Sequence, residues 1–484
     1  MDLSKHWTLE KLADAVRGRV LRGDPKLPIR AIAIDSRRLA KGDFFWAIEG
    51  SRVNANDYVA EAAKKGALGA LVTRQDFPGL SSSFPLVFVP RGINALGRFA
   101  AEHRLLFTRA VVVGVTGSNG KTTTKDFIAG VLAEGGFVTL SQGNFNNEIG
   151  CPLCVLELSD KHHYAVWELA ARKKEDIAYL ANIVRPTIAV LTGISAAHLE
   201  TFISEDKIFE TKAEILRGMI PGAPVIYWAE DPWLARMPVK WPGFSYKTFG
   251  FGPAADLFAQ VTAVAPGGTT LSIFYRGKLQ GEVRIPLFGA GPVRSALAAM
   301  ITGITLGVPI KKIFRVLSEC RPGPMRGEKI PLGGEVFRDQ YLAVNDAYNA
   351  NPTSMIEGVL GFLKAYRTGR RVVVMGEMRE LGPRALDLHA SAGSAIAEEV
   401  NKTDLADDKT FFVVTGGRFA QAMAEALKTC EQKDGPQVFF TAREDAIVVL
   451  KRLVFGQRPP CVLYFKASRA EALENLLKEL EQEF

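Results

Sequence analysis

The chain has 484 residues and a net charge of +8, from 60 Lys and Arg against 52 Asp and Glu, and 47% of it is hydrophobic. No apolar run approaches the ~20 residues that span a bilayer, and Met1 to Trp7 lacks the apolar segment of a secretory signal, so a cytoplasmic protein without membrane insertion is expected. No dense basic run with interleaved aromatics and no zinc-finger spacing is present, which argues against a nucleic-acid partner; the positive charge suits a solvated surface or an anionic small molecule, and electrostatics alone does not decide between them.

A chain of this length exceeds what one core supports, and about three domains are expected. Thr8 has the character of a helix N-cap, with Leu9, Leu12, Ala13 and Val16 on one face of a helix over 8–17. Strands near 29–34 and 86–90 and a helix over 93–106 complete a first α/β domain, 1–108. A second, 109–318, opens with a strand from Ala110 to Val115 and continues with strands near 165–169 and 187–192 separated by helical stretches, a parallel α/β pattern. Cys151 and Cys154 have a C-x-x-C spacing but no second pair, and they lie in an apolar run from Ile149 to Leu158 where cysteine acts as a small hydrophobe. The turn residues of Arg321 to Met325 mark a break. Beyond it, strands near 371–375, 411–415, 437–440 and 461–466 alternate with helices near 386–400, 417–429, 443–453 and 469–481. That alternation predicts a doubly wound, Rossmann-like sheet in a third domain, 319–484.

The stretch 112–124 carries the most chemistry. A strand runs into a glycine-rich turn that delivers Lys121 and Thr122 to the start of a helix, the arrangement of a nucleoside triphosphate cradle. Backbone N–H groups face the anion, Lys121 adds a point charge, and Thr122 offers an oxygen to Mg²⁺. The glycines are Gly114, Gly117 and Gly120, whereas the common phosphate loop would have one at Val115. Polar residues follow the strands downstream: Glu168 ends one, His198 and Glu200 lie just past the next, and Lys212 sits in a helical stretch. A carboxylate and an imidazole near bound phosphates serve as Mg²⁺ ligands, directly or through water.

Four segments together, 114–123, Asn146 to Gly150, Ala197 to Glu200 and Thr211 to Ile215, resemble the Mur ligase family, the ATP-dependent amide-bond ligases of cytoplasmic peptidoglycan precursor synthesis. The resemblance extends to both flanking domains. Asp35-Ser-Arg and Lys41 to Phe45 resemble the uridine-nucleotide domain, and Arg326-Gly-Glu, Gly376 to Gly382 and Lys466 to Arg469 resemble the third. The run Asn345 to Met355 resembles the branch that adds D-Ala-D-Ala to UDP-N-acetylmuramoyl-tripeptide. Members that add the third amino acid have a Tyr-Ala-His-Thr-Pro type segment there, and an Asp-Asn-Pro-Arg motif absent here.

The resemblance implies a mechanism and a set of roles. A substrate carboxylate takes the γ-phosphoryl group of ATP, and the dipeptide amine then displaces phosphate from the acyl phosphate. Thr116, Gly117, Ser118, Asn119, Gly120, Lys121, Thr122 and Thr123 would hold the nucleotide, with Arg326 at the γ-phosphate, Asp346 at the ribose and Asn349 near it. Thr122, Glu168, His198 and Lys212 would surround Mg²⁺, two ions being expected, with Lys212 carbamylated. Lys121, Glu168, His198 and Lys212 are thus the implied catalytic set. Ser36 and Arg37 would meet the uridine diphosphate, and Asn146, Asn147, Tyr348 and Asn351 the peptide substrates. His389 and Lys466 are assigned only by their place in matching segments. The third domain would bind the incoming dipeptide and close over ATP, and a monomer is the expected state.

The chain departs from the family at four places. Where asparagines ordinarily read adenine, Gly289 to Ser295 has Pro292 and Ser295, neither with a side-chain amide. The segment after Glu168 is basic (Arg172, Lys173, Lys174), Asn54 to Asp57 replaces an Asp-Gly-His-Asp run, and Ala467 follows Lys466 in place of glycine. Two other readings stay open on the sequence: a ligase with another acceptor, and a nucleotide-binding scaffold that does not turn over.

Overall fold

The structure is a computed structural model. It describes residues 1–484 except 1, 51–52, 197–198, 203, 335–339, 404, 408, 432–434 and 456–458. His198 therefore lies outside the described residues.

Three sheets of five, nine and six strands succeed one another along the chain, with helices on their faces. The first has strand order Arg19–Arg22, Leu86–Phe88, Gly69–Val72, Phe44–Trp46, Ile32–Ala33, parallel except at the first pair. In the second, strand Val111–Thr116 lies between Ile188–Leu191 and Tyr164–Glu168, parallel to both. A strand flanked on both sides and covered by helices on both faces is apolar throughout, and five of its six residues are buried. Its C-terminal end releases the phosphate loop at an interior position of the sheet, where α/β proteins build their sites.

The far side of this sheet was not expected from the sequence. Strands Pro224–Trp228 and Ser245–Gly250 extend it in parallel, and an antiparallel meander, Leu257–Ala265, Gly268–Tyr275 and Lys278–Ile285, completes it. Helix Ile310–Glu319 packs on this meander with Ile313 and Leu317 buried. The third sheet begins with Glu328–Pro331 antiparallel to Tyr341–Asn345 and continues in parallel through Cys461–Lys466, Arg370–Met375, Thr410–Thr415 and Gln437–Thr441. Its central strands match the predicted positions to within about a residue.

The cores do not follow the three-way division. One continuous apolar cluster joins Leu9, Phe99 and Trp46 of the N-terminal domain to Trp167, Leu191 and Phe209 of the central one. Helix Gly92–Leu105 is its bridge, lying against helices Gly150–Val155 and Asp176–Val184 of the central domain. Cys151 and Cys154 are buried in the same cluster. Burial raises both thiols, Cys154 to about 11, so they pack as hydrophobes. The opposite face of the central sheet has its own core under helices Lys121–Leu132 and Ala290–Thr305, and the third sheet is filled by two more clusters, one on each face. No described helix is long and apolar enough to cross a membrane.

Candidate active site

The phosphate loop is shaped by two glycines. Gly117 has φ 145° and a Cβ there would sit 2.2 Å from the Thr192 hydroxyl. Gly120 has φ 75° and caps helix Lys121–Leu132 from the left-handed region. Glycine takes both conformations without the steric cost a Cβ would bring. The loop is then tied to the segment after the neighbouring strand. Ser118 N–H donates to the Gly193 carbonyl at 2.8 Å, and the Thr192 hydroxyl donates to the Asn119 carbonyl at 2.5 Å. That segment is itself held by buried Asp231, which accepts from the N–H groups of Ile194, Trp233 and Leu234. The result is an anion cradle at a helix N-terminus whose backbone is set before any ligand arrives.

Around the cradle the expected polar groups converge. The Lys121 ammonium donates to the carbonyls of Gly117 and Ser118 at 2.9 and 3.1 Å, and burial lowers its pKa. The Thr122 hydroxyl donates to Glu168 Oε2 at 2.7 Å, while Asn146 donates to Glu168 Oε1 at 2.8 Å. A hydroxyl and a carboxylate oxygen meeting beside a phosphate cradle form the hard oxygen donor set that suits Mg²⁺. Lys212, on helix Glu205–Ala213, is 2% exposed. Among the described residues its ammonium has no hydrogen-bond partner, and it lies 6.0 Å over the Phe202 ring, within the field of Lys121 and Glu168. Burial, then the charge of Lys121, lower its pKa to about 7, so a substantial neutral fraction exists at physiological pH.

The third domain supplies the other wall. Arg326 reaches across to donate to the Thr122 hydroxyl at 3.1 Å, its guanidinium stacked on the Tyr348 ring at 3.8 Å. Asn351 caps helix Pro352–Ala365 in a capping box with Ser354, and its amide pairs reciprocally with that of Asn119 in the loop, at 2.6 and 3.2 Å. Asp346 receives two donors on one oxygen, Tyr464 Oη at 2.7 Å and Lys466 Nζ at 2.8 Å. Asp346 is one of the residues that line the cleft.

These walls enclose a cavity of about 330 Å³. The lining includes Ser118 to Thr124, Asn146, Glu168, Arg326, Asp346, Tyr348 and Asn349, so most of the predicted set is brought together. Thr116 lies just behind the loop, where its hydroxyl bonds the Leu169 carbonyl. Pro292 and Ser295, the two departures, line the cavity with Leu287 and Phe288, on a more apolar side.

Other predicted residues are elsewhere. Asn147 caps the next helix, its side chain accepting from the N–H groups of Ile149 and Gly150. His389 is fully buried. Its Nε2 accepts from Met378 N–H, so Nδ1 carries the proton toward the Ala385 carbonyl, and the ring supports the 376–382 turn. Ser36 and Arg37 are not in the cavity wall. Arg37 is exposed and doubly bonded to Asp35, and the Ser36 carbonyl accepts from Lys65. Sequence reasoning missed Arg294, Glu357 and Tyr464, all in the cavity wall. Only Arg294 carried a signal, its place inside the aberrant Gly289–Ser295 run.

Comparison with known families now decides the assignment. Residues 115–303 match the Mur ligase middle domain, and residues 334–482 match the Mur ligase, glutamate ligase domain. A curated relative from Bacillus subtilis (strain 168), UDP-N-acetylmuramoyl-tripeptide–D-alanyl-D-alanine ligase, is 30% identical over 476 residues, covering 98% of each chain. The chain belongs to the Mur ligase family. Among solved structures, MurF from Acinetobacter baumannii superposes with a TM-score of 0.86 at 30% identity, over 98% of this Mur ligase and 99% of that chain. MurF ligase from Thermotoga maritima in complex with ADP does so with a TM-score of 0.79 at 27% identity, over 94% and 97%.

Proposed function

We propose that this Mur ligase joins D-alanyl-D-alanine to UDP-N-acetylmuramoyl-tripeptide at the expense of ATP, as a cytoplasmic monomer in peptidoglycan precursor synthesis. The observation that carries the reading is the junction of Thr122, Glu168 and Arg326 on the phosphate loop, with the run Asn345 to Met355 closing over it. The relatives that align end to end with the chain are named for this reaction.

The residues divide the work. The tripeptide carboxylate attacks the γ-phosphorus, the bond to the β-bridging oxygen breaks, and ADP leaves an acyl phosphate. The dipeptide amine then attacks the acyl carbon, the amide bond forms, phosphate departs and the amine sheds a proton. Phosphoryl transfer of this kind depends on positioning and charge neutralisation. Lys121 would exchange its two carbonyl partners for β- and γ-phosphate oxygens, and Arg326 would take the γ-phosphate from the opposite wall. Asp346, held by Tyr464 and Lys466, would accept from the ribose. Closure of the third domain keeps water from the acyl phosphate.

Mg²⁺ would be held by Thr122 and Glu168, with His198 and modified Lys212 at a second ion, and when bound it neutralises phosphate charge. As an ammonium, Lys212 would repel such an ion. Its neutral amine can add to carbon dioxide, forming an N–C bond and releasing one proton, which yields an anion in the same place. The expectation is that turnover falls in carbon dioxide-depleted buffer and returns on adding bicarbonate; no response would remove the carbamate from the reading. The whole function is tested by mixing UDP-N-acetylmuramoyl-tripeptide, D-Ala-D-Ala, ATP and Mg²⁺. ADP release that ignores the dipeptide would overturn it.

A further inference from the structure

One ion pair in the cavity wall has no part in this chemistry. Arg294, on helix Ala290–Thr305 of the central domain, meets Glu357, on helix Pro352–Ala365 of the third, through two parallel bonds of 2.5 and 2.7 Å. The Arg294 side chain is 10% exposed and that of Glu357 24%. The guanidinium also stacks on Trp228 at 4.4 Å, so its plane is fixed before Glu357 arrives. One helical turn beyond Glu357, Gly361 touches Gly289 so closely that a Cβ there would lie 2.7 Å from the Gly289 Cα. The two domains thus meet at a backbone contact, and the forked ion pair stands beside it on the side that faces the nucleotide cavity.

We propose that Arg294 and Glu357 are positioning residues whose ion pair holds the third domain down on the cleft, setting Arg326 on Thr122 and Asn351 on Asn119. The inference rests on the reading of this cavity as the ATP site. Three features favour a latch over a surface contact. The geometry is bidentate, which fixes orientation as well as distance. The cation is largely desolvated, which strengthens the pair and limits its screening. Both partners lie in the wall that the nucleotide would touch, so ligand and latch favour the same closed arrangement. Without the latch, less of the enzyme would be closed in the absence of ATP, and apparent affinity falls with the closed fraction. Saturating ATP would restore closure, so KM should suffer more than kcat.

Glu357→Gln, Arg294→Met and the double variant test this with ATP as the varied substrate. Arg294 keeps Trp228 and the field of nearby Asp231 in Glu357→Gln, so that variant leaves no orphan cation. Expected for Glu357→Gln is a KM for ATP raised about tenfold with a smaller fall in kcat. The double variant should be no worse than the singles, because the partners act together. An unchanged KM, or a fall in kcat alone that tracks a lowered Tm, would overturn the proposal. Small-angle scattering of parent and Glu357→Gln, with and without a non-hydrolysable ATP analogue, separates this from the function itself. The parent should be the more compact without nucleotide, whatever peptide substrates it accepts, and equal dimensions would overturn the latch.

Discussion

The central domain meets its two neighbours in opposite ways. Toward the N-terminal domain the contact is a shared apolar core, with Gly97 of helix Gly92–Leu105 set against Tyr179 and Ile183 of the central domain and Phe99 fully buried in the same cluster. Toward the third domain, one central-domain ring, Phe288, packs on Phe362, Tyr366 and Tyr464, and beside it and the glycine contact stands a series of polar links: Arg326 to Thr122, Asn119 to Asn351, Arg294 to Glu357 and Lys329 to the Pro266 carbonyl. An apolar core once formed has no reason to open, because opening exposes its whole area to water. Polar links exchange readily for water, and each contributes little net stability. A ligase that must admit ATP and then exclude water needs one joint of each kind. On the proposed function, the first would fix the bound end of a long substrate, and the second would open and close at the reacting end.

The comparison can be broken in order of expected effect. Arg326→Ala should cut turnover by about 10²–10³-fold, the range for removing a charged clamp from a transition state, while leaving Tm nearly unchanged; steady-state kinetics and calorimetry read both. Phe99→Ala should do the reverse. It removes a ring from the shared core and should cost about 3–5 kcal/mol in denaturant unfolding, with kcat per folded molecule retained.

The apolar joint should also contain one pH-sensitive point. His103 accepts from Trp7 Nε1 on Nδ1 and so donates from Nε2 to the Leu158 carbonyl, and burial lowers its pKa from 6.5 to about 4. Between these values the unfolded chain binds the extra proton, so the contribution is full above pH 6.5 and is lost as pH falls toward 4. It should amount to roughly 3 kcal/mol, read as a falling urea midpoint over that window and flattened in His103→Gln. The smallest effect should come from Asn119→Ala. Losing one reciprocal amide pair should raise the KM for ATP severalfold and shift stability by about 1 kcal/mol or less. A larger loss of stability than in Phe99→Ala would mean that the two joints are not different in kind.

Much of this was legible because it is local. The strand, the glycines and Lys121–Thr122 are contiguous, and the physics of an anion site at a helix N-terminus acts over about ten residues. The third sheet was legible because its central strands are buried on both faces and carry apolar runs, such as Val372 to Met375 with all four residues buried. The meander from 257 to 285 was not, because Thr, Gln, Lys and Gly interrupt its alternation. Pro266-Gly267-Gly268 marks its first turn, but at the second, Arg276-Gly277, both residues take positive φ, and an arginine at that position does not announce a turn as asparagine would. Ser36 and Arg37 remain proposals, since nothing in the cleft reaches them.

By itself the sequence determined that a phosphate cradle exists, which residues form it, and that two further α/β units flank it. These follow from backbone preference and apolar periodicity, which are properties of neighbours in the chain. Only the tertiary structure decided that one unit shares an extended core with the cradle and the other meets it through Phe288 and a set of polar links. Asn119 and Asn351 are 232 residues apart, and Arg294 and Glu357 are 63 apart. A polar side chain carries no mark of its partner until packing brings the two together and removes the water that would otherwise satisfy each.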